Sequence, residues 1–142
     1  MNDVVKLSYK VSPTDFLAAG EASSDVKKSL RKLGVPPEVI RKVAISMYEA
    51  EINMVIHADG GQIDVEISPE CVHVKLADKG PGIADINQAM QEGYSTAPED
   101  VREMGFGAGM GLPNIKKYAD KMNINSVIGQ GTTIDIYVNI PA

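Results

Sequence analysis

Three polar side chains recur four residues apart in the longest helically patterned stretch of the chain: Glu49, Asn53 and His57. On an α-helix that spacing stacks them one turn above another, with Cβ atoms roughly 5 to 6 Å apart, so they share a face. An amide oxygen is the kind of hard ligand that Mg²⁺ accepts while it keeps several waters and takes phosphate oxygens for the rest. A carboxylate one turn away is placed to draw a proton from an attacking hydroxyl or water. Glu51, two residues further on, points to the far side of the helix and is not expected to share that role. His57 by itself suits a helix C-terminus, where a partly charged imidazole meets the negative end of the dipole. A solvated helix face would carry the same residues, so the pair needs company from elsewhere in the chain.

Two glycine-bearing stretches and one threonine supply that company. Asp78-Lys79-Gly80-Pro81-Gly82 directly follows an apolar strand. Its glycines let the backbone turn sharply under a flat ligand, and Asp78 offers a fixed carboxylate to an exocyclic amine such as the adenine N6 group. Met104 to Leu112 places glycine at 105, 107, 109 and 111, then runs into Pro113, Asn114, Ile115, Lys116 and Lys117. Removing every second side chain allows close approach to a bulky ligand, and the helix that proline opens turns free N–H groups toward an anion, phosphate first among them. Gly131-Thr132-Thr133 adds a hydroxyl at the start of the last strand. Taken one at a time, a tight turn, a hinge and a good strand former explain these features equally well.

The elements that must position these residues follow from periodicity. Residues 4 to 11 alternate as a strand, and Phe16 to Leu33 recur loosely at helical spacing with Thr14 or Asp15 as cap and Gly34 as stop. Pro36, Pro37 and Glu38 open the strongest helix, with Ile40, Val43, Ala44, Met47, Ala50 and Met54 as its apolar stripe and Asp59-Gly60-Gly61 as its end. Gln62 to Ser68 and Cys71 to Ala77 read as an antiparallel hairpin joined by Pro69-Glu70. A short helix is expected over about 84 to 91, a long functional loop over 92 to 111, and a helix from Pro113 to about Met122. Asn123 to Ile128, a turn at 129 to 131 and a strand from Thr132 to Ile140 close the chain.

At 142 residues the chain has room for one hydrophobic core, and we read it as a single domain spanning residues 1 to 142. A formal net charge of −5 without a basic cluster repels a phosphate backbone, which argues against nucleic acid. The single cysteine, Cys71, excludes an internal disulfide and is expected to be a small buried side chain. No stretch approaches membrane-span length and the first ten residues lack a signal peptide's apolar run, so no membrane partner is expected and the cytoplasm is the default location.

Taken in order, the Asn-centred helix, Asp-x-Gly-x-Gly, the glycine-rich loop feeding a helix and Gly-Thr before a strand resemble one nucleotide-binding fold. It is the fold of the GHKL superfamily, shared by DNA gyrase, heat-shock protein 90, the histidine kinases and the DNA-repair protein MutL. The resemblance covers about residues 36 to 138. It implies an α+β protein, the two-layer α/β sandwich of the Bergerat ATP-binding fold, with a mixed, mostly antiparallel sheet, helices on one face, and ATP between helices and a lid.

Within that superfamily the chain is most similar to the small bacterial anti-sigma factor serine/threonine kinases, especially the switch kinases of stress-signalling complexes. The similarity rests on small size, on Ala44-Ile45-Ser46 through Glu49 and Asn53 to Gly60-Gly61-Gln62-Ile63, and on the lid segment Glu92-Gly93-Tyr94-Ser95-Thr96. It implies Glu49 as general base, Asn53 as Mg²⁺ ligand and Asp78 as adenine contact, with Gly80 and Gly82 in the turn beneath. Gly105, Gly107, Gly109, Gly111 and Leu112 fall in the phosphate loop, and Thr132 on the hydroxyl that helps Asp78 hold adenine. Charge and position assign Arg102 and Lys116 as phosphate partners. The Gly-x-Gly at 105 to 107 is additional to the shortest anti-sigma factors, and Tyr48 and Glu51 are expected to alter partner contacts.

The expected activity is a protein serine/threonine kinase that moves the γ-phosphate of Mg-ATP to a hydroxyl of a small antagonist-type protein. One alternative is a non-catalytic, ATP-dependent module that sequesters a sigma factor or another regulator, such as a regulatory phosphatase. The other is a histidine kinase-like catalytic domain whose acceptor lies on a separate chain, since the only histidines are His57 and His73. A homodimer is implied by the family alone.

Overall fold

A computed structural model of the chain describes residues 4–11, 20–57, 61–78, 111–127 and 129–141, with the side chains at 53, 55–57 and 111–113 outside that description. In chain order the described elements are β1 (Val5–Val11), α1 (Glu21–Lys32), α2 (Pro37–His57), β2 (Gly61–Ile67), β3 (Cys71–Asp78), α3 (Gly111–Tyr118), β4 (Lys121–Val127) and β5 (Gly131–Asn139). The strands form one five-stranded sheet in the order β1-β2-β3-β5-β4, and its four pairings are all antiparallel. The expected helix over 84 to 91 and the loop over 92 to 110 lie outside the described residues.

Alternation decides which face of the sheet is covered. Ile63, Val65 and Ile67 of β2, Val72, Val74 and Leu76 of β3, and Ile134, Ile136 and Val138 of β5 are all buried, while the residues between them are not. Against that face lie Val26 and Leu30 of α1, Val43, Met47, Ala50 and Met54 of α2, and Ile115 of α3, in one apolar cluster. Spacings of three and four along α2 put its apolar residues on one stripe, and α2 is the central helix, packed against both α1 and α3. None of the described helices is long and apolar enough to cross a membrane.

Several boundaries differ from the sequence reading, each for a local reason. The described helix begins at Glu21, directly after Gly20 with its left-handed backbone at φ 94°, and the expected part from Phe16 to Ala19, with its cap at Thr14 or Asp15, lies outside the described residues. Its end is as expected: Val35 N–H bonds the Leu30 carbonyl at 3.1 Å and Gly34 sits at φ 76°. The third helix starts at Gly111 and stops at Tyr118, four residues short of Met122. Asp120 pulls the chain into the sheet there: its N–H bonds the Tyr137 carbonyl at 2.9 Å, and its carboxylate accepts from Asn139 N–H at 2.7 Å and Lys42 at 3.4 Å. Met122 is therefore a strand residue. Cys71 is half-buried rather than buried, because the buried face of β3 belongs to Val72, Val74 and Leu76. Burial and nearby acids push its thiol pKa up, so it is a weak nucleophile.

Candidate active site

Glu49 stands half-buried on α2, on the side opposite the core stripe. Its Oε1 accepts a hydrogen bond from the Asn114 amide of α3 at 3.3 Å, joining residues 65 apart in the chain. Glu49 also borders an open groove of about 430 Å³ between α1 and α2, whose walls are Gly20, Ser23, Ser24 and Lys27 on one side and Ala44, Ile45 and Tyr48 on the other. A half-buried carboxylate that is hydrogen-bonded on one oxygen and borders an open groove has the setting a proton acceptor needs.

Glu51 has a different fate, as the helix geometry implied. It is 3% exposed, and its carboxylate accepts from the backbone N–H groups of Gly20 at 3.0 Å, Ala22 at 3.3 Å and Ser23 at 3.1 Å. These are N–H groups that the first turn of a helix leaves without internal partners, so Glu51 caps α1 from a distance. It makes no surface for a partner, which corrects that expectation; Tyr48 is 40% exposed and lines the groove.

At the far end of α2, Gly61 brings the sheet close. A Cβ at this position would fall 2.3 Å from the Ala77 carbonyl, 2.4 Å from Met54 Cε and 2.9 Å from Asp78 Cα. Only a bare backbone permits that approach. Its result is that the turn of α2 carrying Asn53 and Met54 lies beside the end of β3 where Asp78 stands.

Asp78 is fixed from the next strand. Thr132 N–H donates to its Oδ1 at 3.0 Å, and the buried Thr132 hydroxyl pairs with Ser126 Oγ at 2.9 Å. The register explains the meeting, since Gly61 pairs with Asp78, Ala77 with Thr133 and Ser126 with Thr132. One end of the sheet thus carries a polar row from β4 through β5 and β3 to the glycine of β2.

Of the residues singled out from sequence, Glu49 and Asp78 are each anchored by a partner, and Asn53 lies on α2 one turn after Glu49; Thr132 holds Asp78 through its backbone N–H and not through the hydroxyl expected to do so, because that hydroxyl is buried against Ser126. Gly111 and Leu112 open α3, and Lys116 is exposed on that helix. Gly80, Gly82, Arg102, Gly105, Gly107 and Gly109 lie outside the described residues. Sequence reasoning missed Asn114 and Ser126. The signal for Asn114 was faint: an amide just after the proline of the helix that the glycine run feeds.

The family model of the histidine kinase-like ATPase domain matches residues 13–138, and the chain belongs to that family. It is similar to the serine/threonine-protein kinase RsbT of Bacillus subtilis, 32% identical over 124 residues that cover 84% of this chain and 85% of the relative. It is also similar to the anti-sigma F factor of Pasteuria penetrans, 32% identical over 112 residues, 74% of this chain and 71% of that one. Among solved structures, the RsbU and RsbW domains of Rv1364c from Mycobacterium tuberculosis match with a TM-score of 0.64 at 15% identity, covering 97% of this chain and 34% of that one. The mycobacterial sensor histidine kinase MprB matches with a TM-score of 0.54 at 15% identity, covering 96% and 98%. These two likenesses speak to the fold, and the chain spans about a third of the length of the first. The fold is the α+β ATPase fold expected from the motifs.

Proposed function

We propose that this chain is a protein serine/threonine kinase of the anti-sigma type, which moves the γ-phosphate of ATP to a hydroxyl on a small antagonist-type protein. The observation that carries the reading is the Glu49 carboxylate, held by Asn114 and bordering an open groove between α1 and α2. In the transfer, Glu49 takes the hydroxyl proton as the oxygen bonds to the γ-phosphorus, while the bond to the bridging β,γ oxygen breaks and ADP leaves. Asp78, held to one orientation by Thr132, accepts from the adenine amine. The glycine run from 105 to 111, with Leu112, cradles the phosphates, and Arg102 and Lys116 balance their charge.

The donor chemistry at this point of α2 fits a magnesium ion: the Asn53 amide oxygen is a hard donor of the kind magnesium takes beside water and phosphate oxygens, and would hold the ion while the Glu49 carboxylate stays free as proton acceptor. When bound there, the ion neutralises charge on the β- and γ-phosphates. The chain's own contribution is orientation and proton removal.

The test is Glu49→Ala with radiolabelled ATP and the antagonist-type proteins of the same cell. Transfer is expected to fall by about 10² or more, with ATP affinity retained. Undiminished transfer by the variant would remove the general base. A sequestering module, the reading that the anti-sigma F factor relative favours, instead forms a stable ATP-dependent complex with a sigma factor or regulator and labels no protein. A pull-down with and without ATP, run beside the labelling assay, separates the two.

A further inference from the structure

We propose that Asn114 is the positioning residue for Glu49: it aims the carboxylate at the acceptor hydroxyl. The inference rests on the kinase reading above. A glutamate side chain has three rotatable bonds, and one that borders an open groove has several orientations of similar energy unless a partner selects one. Among the described residues, the group that hydrogen-bonds this carboxylate is the Asn114 amide. A carboxylate accepts and does not donate, so the amide nitrogen is the atom that faces it. One turn back on α2, the side chain is Ile45, which has no hydrogen bond to offer.

Asn114 is itself well held. The next residue, Ile115, is fully buried between α3 and the core, so the first turn of α3 cannot rotate without opening the apolar cluster. Three residues before Asn114 the helix begins at Gly111, the last glycine of the run expected to cradle the phosphates.

The experiment measures release of labelled phosphate from γ-labelled Mg-ATP with water as acceptor, which needs no identified partner, and repeats it with the antagonist acceptor. Asn114→Ala is expected to lower kcat about ten- to a hundredfold, the loss of one hydrogen bond to a charged group, with KM for ATP and calorimetric ATP affinity unchanged. In a Glu49→Gln background the same substitution is expected to add no further loss, because the group it aims is already absent. The isosteric Asn114→Asp, which sets a like charge against Glu49, is expected to lose at least as much as alanine while keeping the fold, checked by its melting transition. Equal losses in both backgrounds, an effect confined to KM, or an active Asn114→Asp would each overturn the positioning role. Wild-type protein that binds Mg-ATP yet releases no phosphate to either acceptor would overturn the kinase reading, and this inference with it.

Discussion

Glu51→Ala isolates the long-range cap on α1. The substitution removes the acceptor for three backbone N–H groups, those of Gly20, Ala22 and Ser23, and two of these residues are buried. A hydrogen bond to a charged group contributes about 1.5 to 3 kcal/mol. The half-buried Gly20 N–H can turn to water, so two full losses set the scale, about 3 to 6 kcal/mol, close to what breaking other buried charge networks costs. A chain of this length unfolds with an entropy of roughly 0.3 kcal/mol per kelvin, which makes the expected fall in melting temperature about 10 °C or more. Glu51→Gln keeps one acceptor oxygen and should lose about half as much. The assay is a thermal melt by circular dichroism at pH 7, with urea titration for the free energy and calorimetry for ATP. ATP affinity below the transition should be unchanged in both variants, because the Glu51 carboxylate is bonded to the start of α1 and to none of the residues proposed to hold ATP. A melting temperature for Glu51→Ala within about 3 °C of wild type, or an equal loss for both variants, would refute the cap.

Two further outcomes are expected. Gly61→Ala forces a methyl into the Ala77 carbonyl and Met54, costing about 2 to 3 kcal/mol and weakening ATP binding, while Gly129→Ala, at φ 81° with open space around it, should cost only about 1 kcal/mol with affinity intact. Parallel melts and ATP titrations of the two check this. Burial holds the Tyr9 phenol pKa above its ordinary value, and the hydrogen bond to Asp25 and the charges of Asp25 and Glu51 push it the same way. The unfolded chain therefore releases this proton first: the contribution to stability is complete below about pH 10 and declines as pH rises past it. Urea midpoints from pH 8 to 11 should fall more steeply for wild type than for Tyr9→Phe, and parallel curves would reject the assignment.

Much of the scaffold could be read from patterns that repeat within a few residues. The stripe on α2, the hairpin through Pro69-Glu70 and the alternation of β5 each announce themselves locally, and the structure has them where the spacing put them, except that Ala44 leaves the stripe for the groove wall. The candidate site was half legible in the same way, because Glu49 and Asp78 sit in short motifs. What could not be read were meetings between distant segments. Nothing near Asn114 marks it as a partner of a residue 65 positions earlier, and nothing near Glu51 says it will cap a helix some thirty residues upstream. The early end of α3 is of the same kind, since Asp120 leaves the helix for bonds to Tyr137 and Asn139 that only the assembled sheet provides. Gly61 looked like a helix stop, and its larger use, admitting Met54 against the sheet, depends on how α2 lies across the strands.

The central helix is gripped from every quarter: Glu51 reaches one neighbour, Glu49 another, and Met54 is pressed onto the sheet. Such a rivet can neither roll nor slide without shearing several attachments together. Anyone wishing to redesign this surface should leave those gripped positions untouched and rewrite the lips of the adjoining trough, at Ser24 and Lys27 of α1 and the outward-facing Tyr48 of α2, where new side chains meet mostly solvent and the frame beneath stays as it was.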